Sequence, residues 1–261
     1  MVNSIPTRAQ PQRADHTRAR ILAAAIREFS QNGLSGARTE QIAEAAGVNK
    51  ALLYYYFKGK EALYSAALEE AADGVRVSSM AALESGAGAG AGERFVRSVL
   101  NHFDRIHANA GFQSLMQQEM IRLHRGEANA LTSLAEKVFR PLTERMNQVI
   151  EEGIRTGELI AVDPVQIRLA ALGANVFYFL SAPLMRMIEG ADPLEPGALR
   201  FRRTTAIEYL GQTIFTDRAH GACIAALVLE TTPMPEPNVN SFAQREQPQG
   251  ATQEMRHNER T

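Results

Sequence analysis

The sequence predicts an all-α protein: a small three-helix head joined through a fourth helix to a larger helical bundle. Three observations lead there. Apolar residues recur at helical spacing, as in Ile21, Leu22, Ala25, Ile26 and Phe29. No alternating apolar and polar run bounded by turn dipeptides competes with that pattern. The segment Thr39 to Leu63, TEQIAEAAGVNKALLYYYFKGKEAL, reads as a short helix, a glycine turn and a second helix crowded with tyrosines.

Residues 1–14 are polar and rich in Arg, Gln and Pro, which predicts a flexible arm. The head is expected over 15–75. Its first helix starts at Asp15, with Asp15 or Thr17 as N-cap, and stops at Gly33. Thr39 is expected to cap a short second helix through Ala46 that buries Ile42, Ala43 and Ala46. Gly47 makes the turn, Asn49 caps the third helix, and a fourth runs from Gly59–Lys60 to about 82.

A regulatory and dimerising unit is expected over 76–218. The glycine-rich run from Ser85 to Gly92 is a loop, because so many glycines cost a helix too much entropy. Helices follow at about 93–109, 111–125, 128–156, 164–189 and 197–216, with Gly157 ending the third of these. Pro141 should kink or divide the 128–156 segment, since it cannot donate to the helix ladder. Asp163-Pro164 starts the next helix with a cap and a first-turn proline. Residues 219–261 form an extension in which 221–230 is either an extra packed helix or a sticky tail. From about 231 onward the composition predicts disorder.

Charge is nearly balanced at −1, yet residues 1–60 hold nine Lys/Arg against four acids and the remainder is acidic. A basic end on an acidic protein suits a polyanion partner at that end. The lone Cys223 excludes an internal disulfide framework and fits a reducing compartment. The N-terminus lacks the apolar core of a signal peptide, and the uncharged run Leu169 to Met185 is short for a span and interrupted by Asn175, Ser181 and Pro183. A cytoplasmic protein without membrane contact is expected. Nucleophile-elbow, nucleotide-loop, dinucleotide and zinc-protease patterns are missing, so no enzyme and no cofactor are expected.

Wound as a helix, Lys50 to Phe57 separates into two sides. Leu53, Tyr56 and Phe57 share the core side, while Lys50, Ala51, Tyr54 and Tyr55 share the other, with Leu52 at its border. Three adjacent tyrosines cannot all enter one core. A lysine, a small residue and phenol hydroxyls suit a DNA groove, where hydroxyls donate to phosphates and Leu52 can meet a thymine methyl.

These residues closely resemble the helix-turn-helix of the TetR/AcrR family of bacterial transcriptional regulators. Thr39, Ile42, Ala43, Ala46, Gly47 and Val48 match its opening; Leu53 through Phe57, Lys60, Glu61 and Leu63 match its close. The resemblance covers about residues 15–70. It implies a homodimer on a palindromic double-stranded DNA operator, with the third helices in successive major grooves. Carried over by position, Thr39, Lys50, Ala51, Leu52, Tyr54, Tyr55, Tyr56 and Lys60 become DNA-contact candidates. Leu52 departs from the small or polar residue common there. The resemblance further implies a ligand-binding bundle that responds to a small-molecule effector; repression is expected because a dimer on a promoter blocks polymerase without further parts.

In the bundle, the 164–189 segment is apolar around most of its circumference and must bury both sides. Leu172 and Phe179 there, with Phe201 and Leu210 on the next segment, are dimer-interface candidates. His102, Gln118, Glu119, Arg122, Asn175 and Tyr178 are effector-pocket candidates, with His107, Gln117 and His124 nearby. The same residues also fit solvated polar faces with a Glu119–Arg122 ion pair. His102 and His107 share a face poorly, so no metal site is expected. An alternative is a DNA-binding co-regulator or architectural protein with no small-molecule effector.

Overall fold

The computed structural model describes residues 9–84, 88–127 and 130–236. The expected arm up to residue 8, part of the glycine loop at 85–87 and the polar tail from 237 lie outside the described residues. Among the described residues eleven α-helices run α1 (Ala9–Gly36), α2 (Thr39–Ala45), α3 (Lys50–Tyr56), α4 (Lys60–Glu84), α5 (Ala91–Ala108), α6 (Ala110–His124), α7 (Ala130–Leu134), α8 (Arg140–Arg155), α9 (Pro164–Glu189), α10 (Pro196–Thr213) and α11 (Arg218–Thr231). The described residues hold no strand, only an isolated antiparallel bridge between Leu159 and Phe215.

In the head, α1 to α3 fold over the first half of α4. Ile21, Leu22, Phe29, Ile42, Leu53, Leu63 and Leu68 form its core, and Leu115 of α6 with Leu131 and Leu134 of α7 complete it. Fully burying one such leucine or isoleucine contributes about 1.5–3 kcal/mol, so α6 and α7 are part of what holds the head together. Two hydrogen bonds fasten α6 to α1: Ser114 Oγ and Gln118 Nε2 both donate to the Ser30 carbonyl, at 2.8 and 3.3 Å.

Several helix boundaries differ from the sequence expectation. α1 starts at Ala9, inside the expected arm, with Pro11 in its first turn, where a missing N–H costs no intrahelical bond; Asp15 and Thr17 are interior residues and not caps. Gly33 does interrupt α1, at φ 66° and ψ 177°, but another turn follows to Gly36. Thr39 is the first helical residue of α2 and not its cap. Arg38 holds the extended cap position, and its N–H donates to Glu28 Oε1 at 3.0 Å. Asn49 does cap α3, accepting from the Leu52 N–H at 2.7 Å.

The larger bundle packs around α5, which buries Phe95, Val96, Val99 and Leu100 against Met146, Val149 and Ile150 of α8 and against α10 and α11. Pro141 divides its segment: α7 widens into a π-helical turn, Ala135–Phe139, before α8 begins, and the proline sits in the first turn of α8. Its missing N–H falls where an α-helix leaves donors unpaired. Asp163 caps α9 by accepting from Val165 and Gln166 N–H groups at 2.8 and 3.2 Å. The ambiguous 221–230 stretch is helix α11, packed on α10 and α5. Its approach to α10 requires glycines: a Cβ at Gly221 would lie 2.0 Å from the Gly211 carbonyl oxygen.

Candidate nucleic-acid interface and cavity

The head core holds α3 by its Leu53 side, fully buried, and by Phe57 at its end. That burial leaves Lys50, Ala51, Leu52, Tyr54 and Tyr55 on the outer surface, and Tyr55 is 81% exposed. Tyr56 is half-buried, with its ring edge-on to Tyr55 at 5.6 Å and packed against the head core. Thr39 is buried, and its hydroxyl lies 3.3 Å from the Tyr54 hydroxyl, which ties the start of α2 to the exposed face of α3. Lys60 opens α4 and donates to the Ser35 carbonyl at 3.1 Å. The eight DNA candidates are therefore not equivalent: five face outward, while Thr39, Tyr56 and Lys60 are engaged with the head itself.

Two features of this face follow from neighbours that the motif alone does not reveal. Lys50 pairs with Glu40 of α2, which raises the lysine pKa and lowers that of the glutamate, first through their hydrogen bond. An anionic partner competes with Glu40 for Lys50. Arg20, from the preceding helix, donates through Nε to the Ala46 carbonyl at 2.9 Å and through Nη2 to that of Gly47 at 3.0 Å. It thereby satisfies carbonyls at the end of α2 and sets the α2–α3 turn, where Gly47 has φ +62°.

A cavity of about 630 Å³ opens between α4, α5, α6, α8 and α9. Val75, His102, Arg105, Phe112, Met116 and Leu172 are among its walls. Of the six pocket candidates, His102 alone lines it. Asn175 stands behind, with its amide nitrogen 3.1 Å from the Val99 carbonyl and 3.5 Å from His102 Nδ1. Glu119 turns the other way. It is fully buried, accepting from the Tyr64 hydroxyl at 2.8 Å and Arg122 Nη1 at 2.6 Å. Burial, and secondarily the Glu119 carboxylate, push the Tyr64 phenol pKa upward, so it stays a donor. Gln118 is bound to α1, and Tyr178 donates to the Pro193 carbonyl beside Phe103 and Phe179. Gln118, Glu119, Arg122 and Tyr178 link helices and are not among the walls of this cavity. Helical spacing placed them on polar faces without saying which neighbour each face would meet. Arg105 and Arg168 are charged cavity residues without a sequence signal.

Burial holds the His102 pKa down to about 4, so the ring is neutral at neutral pH. Its contribution to stability is complete above the unfolded value of about 6.5 and is lost as pH falls toward the folded value. The expected loss from this group is roughly 2–3 kcal/mol between those limits. Urea titrations should show wild type losing its advantage over His102→Leu across that window; a pH-independent difference would refute the assignment.

The four dimer candidates also separate. Phe201 is 73% exposed, whereas Leu210 belongs to the bundle core, Phe179 packs on Phe103, and Leu172 lines the cavity. Exposed large apolar side chains also include Phe177, Leu180, Leu184, Met187 and Ile188 on α9 and Tyr209 on α10. Length and composition alone would also let α9 cross a membrane, a test that core helices of soluble proteins pass as well.

A helix-turn-helix head that shares its core with a cavity-bearing helical bundle defines the class: a one-chain transcriptional regulator. Residues 21–67 match the profile for bacterial regulatory proteins of the tetR family, and residues 93–210 match the tetracyclin repressor-like C-terminal domain. The HTH-type transcriptional regulator RutR of Escherichia coli strain K12 is 32% identical over 171 residues, covering 66% of this chain and 77% of RutR. The repressor NicS of Pseudomonas putida is 46% identical over 63 residues, 24% of this chain and 30% of its own. The chain belongs to the TetR family of transcriptional regulators. Among solved structures, a regulator from Saccharomonospora viridis in complex with choline aligns with TM-score 0.61 at 17% identity, covering 78% of this chain and all of that one. FadR from Bacillus subtilis in complex with stearoyl-CoA aligns at 0.56 and 19%, covering 74% and 96%. At such identities the likeness concerns the fold.

Proposed function

We propose that this chain is a cytoplasmic homodimeric repressor that binds a palindromic operator and leaves it when a small molecule enters the cavity. The observation that carries the reading is the outward face of α3, where Lys50, Ala51, Leu52, Tyr54 and Tyr55 stand free of the core that fixes the helix. Such a helix, presented twice by a two-fold pair, meets successive major grooves. The exposed apolar face of α9 and α10 suits that pair. The effector half is supported by shared walls: Phe112, Met116 and Phe139 line the cavity and also pack against the head core. α4 likewise carries Tyr64 into the head core and Val75 and Ser79 to the cavity. A ligand that shifts these residues alters the tilt of the head, and coupling of ~1–3 kcal/mol changes operator occupancy about 5–150-fold. The ligands bound by the choline and stearoyl-CoA complexes of its structural neighbours are consistent with a bundle that accepts small molecules.

Footprinting on sequences selected from random duplexes tests the proposal: one discrete palindrome is expected, and diffuse coating favours the architectural alternative. Lys60→Ala should weaken binding to all sequences and reduce the salt dependence by about one unit of slope, through loss of one phosphate contact. An unchanged slope would exclude that contact. Spin labels on the two heads should report a changed separation when effector releases DNA; a constant separation would overturn the tilting mechanism.

A further inference from the structure

We propose that the cavity recognises an organic acid, its carboxylate held by Arg105 and its apolar body by the methionine and phenylalanine walls. This rests on the reading of the cavity as the effector site and adds the chemical class of the ligand.

Three observations carry the inference. First, the cavity's lining has two guanidinium groups, Arg105 and Arg168, and no Asp or Glu. Its histidine is neutral, so the cationic character of the chamber has no counter-charge within it. Second, the two arginines are not equally satisfied. Arg168 Nε donates to Asn147 Oδ1 at 3.0 Å. Arg105 Nε is buried without a hydrogen-bond partner, and no described residue forms an ion pair with this side chain. Nε itself has no surface open to the chamber, so the two Nη groups are the donors that a carboxylate would meet, and their pair matches its two oxygens. Third, the rest of the chamber is mainly apolar, including Phe112, Met116, Met120, Phe139 and Met146. At about 630 Å³ it falls in the range of sites for drug-sized molecules. A cation would meet two like charges there with no carboxylate to offset them.

The placement of Arg105 also suits regulation. Its Nη2 would lie 3.5 Å from a Cβ at Gly74, so the guanidinium reaches α4, the helix that continues into the head core. An acid drawn to Arg105 therefore acts beside the connecting helix.

Calorimetric titration of the full-length protein with octanoate and dodecanoate, against 1-octanol and octyltrimethylammonium, tests the class. The acids are expected to bind at least about 10-fold more tightly than the alcohol, the range in which a charge-assisted hydrogen bond operates. Arg105→Met should erase that preference, so that acid and alcohol bind alike, and Arg105→Lys should restore part of it. Equal binding of acid and alcohol by the wild type, or a preference for the ammonium, overturns the acid assignment and leaves the effector cavity standing. If Arg105→Met does not fold, the wild-type acid-to-alcohol ratio decides alone. Failure of every probe to bind, or to displace a solvatochromic dye from the cavity, removes the effector-site reading together with the acid.

Discussion

Glutamates at both Leu184 and Met187 are expected to convert the protein to monomers and to reduce operator affinity by about 10²–10⁴-fold. Met187 is 83% exposed, and Leu184, Phe177 and Ile188 stand beside it on α9. Phe201 and Tyr209 extend the same kind of surface on α10. In a two-fold interface each substitution appears twice, so four carboxylates would be buried against apolar partners without counter-charges. Neither residue belongs to a core cluster, so each protomer should keep its fold and melting temperature. The loss in binding comes from avidity, because a monomer places one α3 in one groove without delivering the second. Sedimentation velocity and footprinting of the double variant check this. A variant that remains dimeric would exclude the α9–α10 face as the dimer surface.

Asp104→Ala should destabilise the chain by about 3–5 kcal/mol, the cost of leaving a buried charge without its partner. Arg203 grips Asp104 bidentately, Nε to Oδ1 and Nη2 to Oδ2 both at 2.8 Å, and both residues are buried. The same Nη2 donates to the Thr232 carbonyl at 2.7 Å, so one guanidinium joins α5, α10 and the segment after α11. Without Asp104 the cation has a single carbonyl for compensation. The double variant Asp104→Ala/Arg203→Met should recover most of the loss, since it removes the stranded charge as well as its partner. Urea unfolding measures both. A loss below about 1 kcal/mol for the single variant would show that water reaches Arg203 and that the pair contributes little.

The parts legible in the sequence share one property: their physics is local. Asn49 caps α3, Asp163 caps α9, and Pro141 divides its segment because each acts within a turn of itself. The two sides of α3 follow from its periodicity, and Leu53 and Phe57 are buried as that pattern predicts. The parts that escaped depend on what lies across a gap. Arg20 completes the end of α2 from 26 residues away, and no spacing rule points to it. Glu119 and Arg122 are adjacent on α6, but only the packing of α6 against α4 turns them toward Tyr64 and away from the cavity. Arg105 carries no motif; its isolation is visible only when the surrounding helices leave its Nε without an acceptor.

The chain's order of residues by itself determined an all-α protein with a helix-turn-helix head and the outward face of its third helix, because hydrophobic period, caps and turn glycines act over a few residues. Tertiary structure decided which polar side chains line the cavity, which apolar residues of α9 and α10 remain uncovered, and that α6 and α7 complete the head core. Those outcomes depend on the angle at which distant helices meet. A helical pattern states which residues share a face but not which surface that face will find.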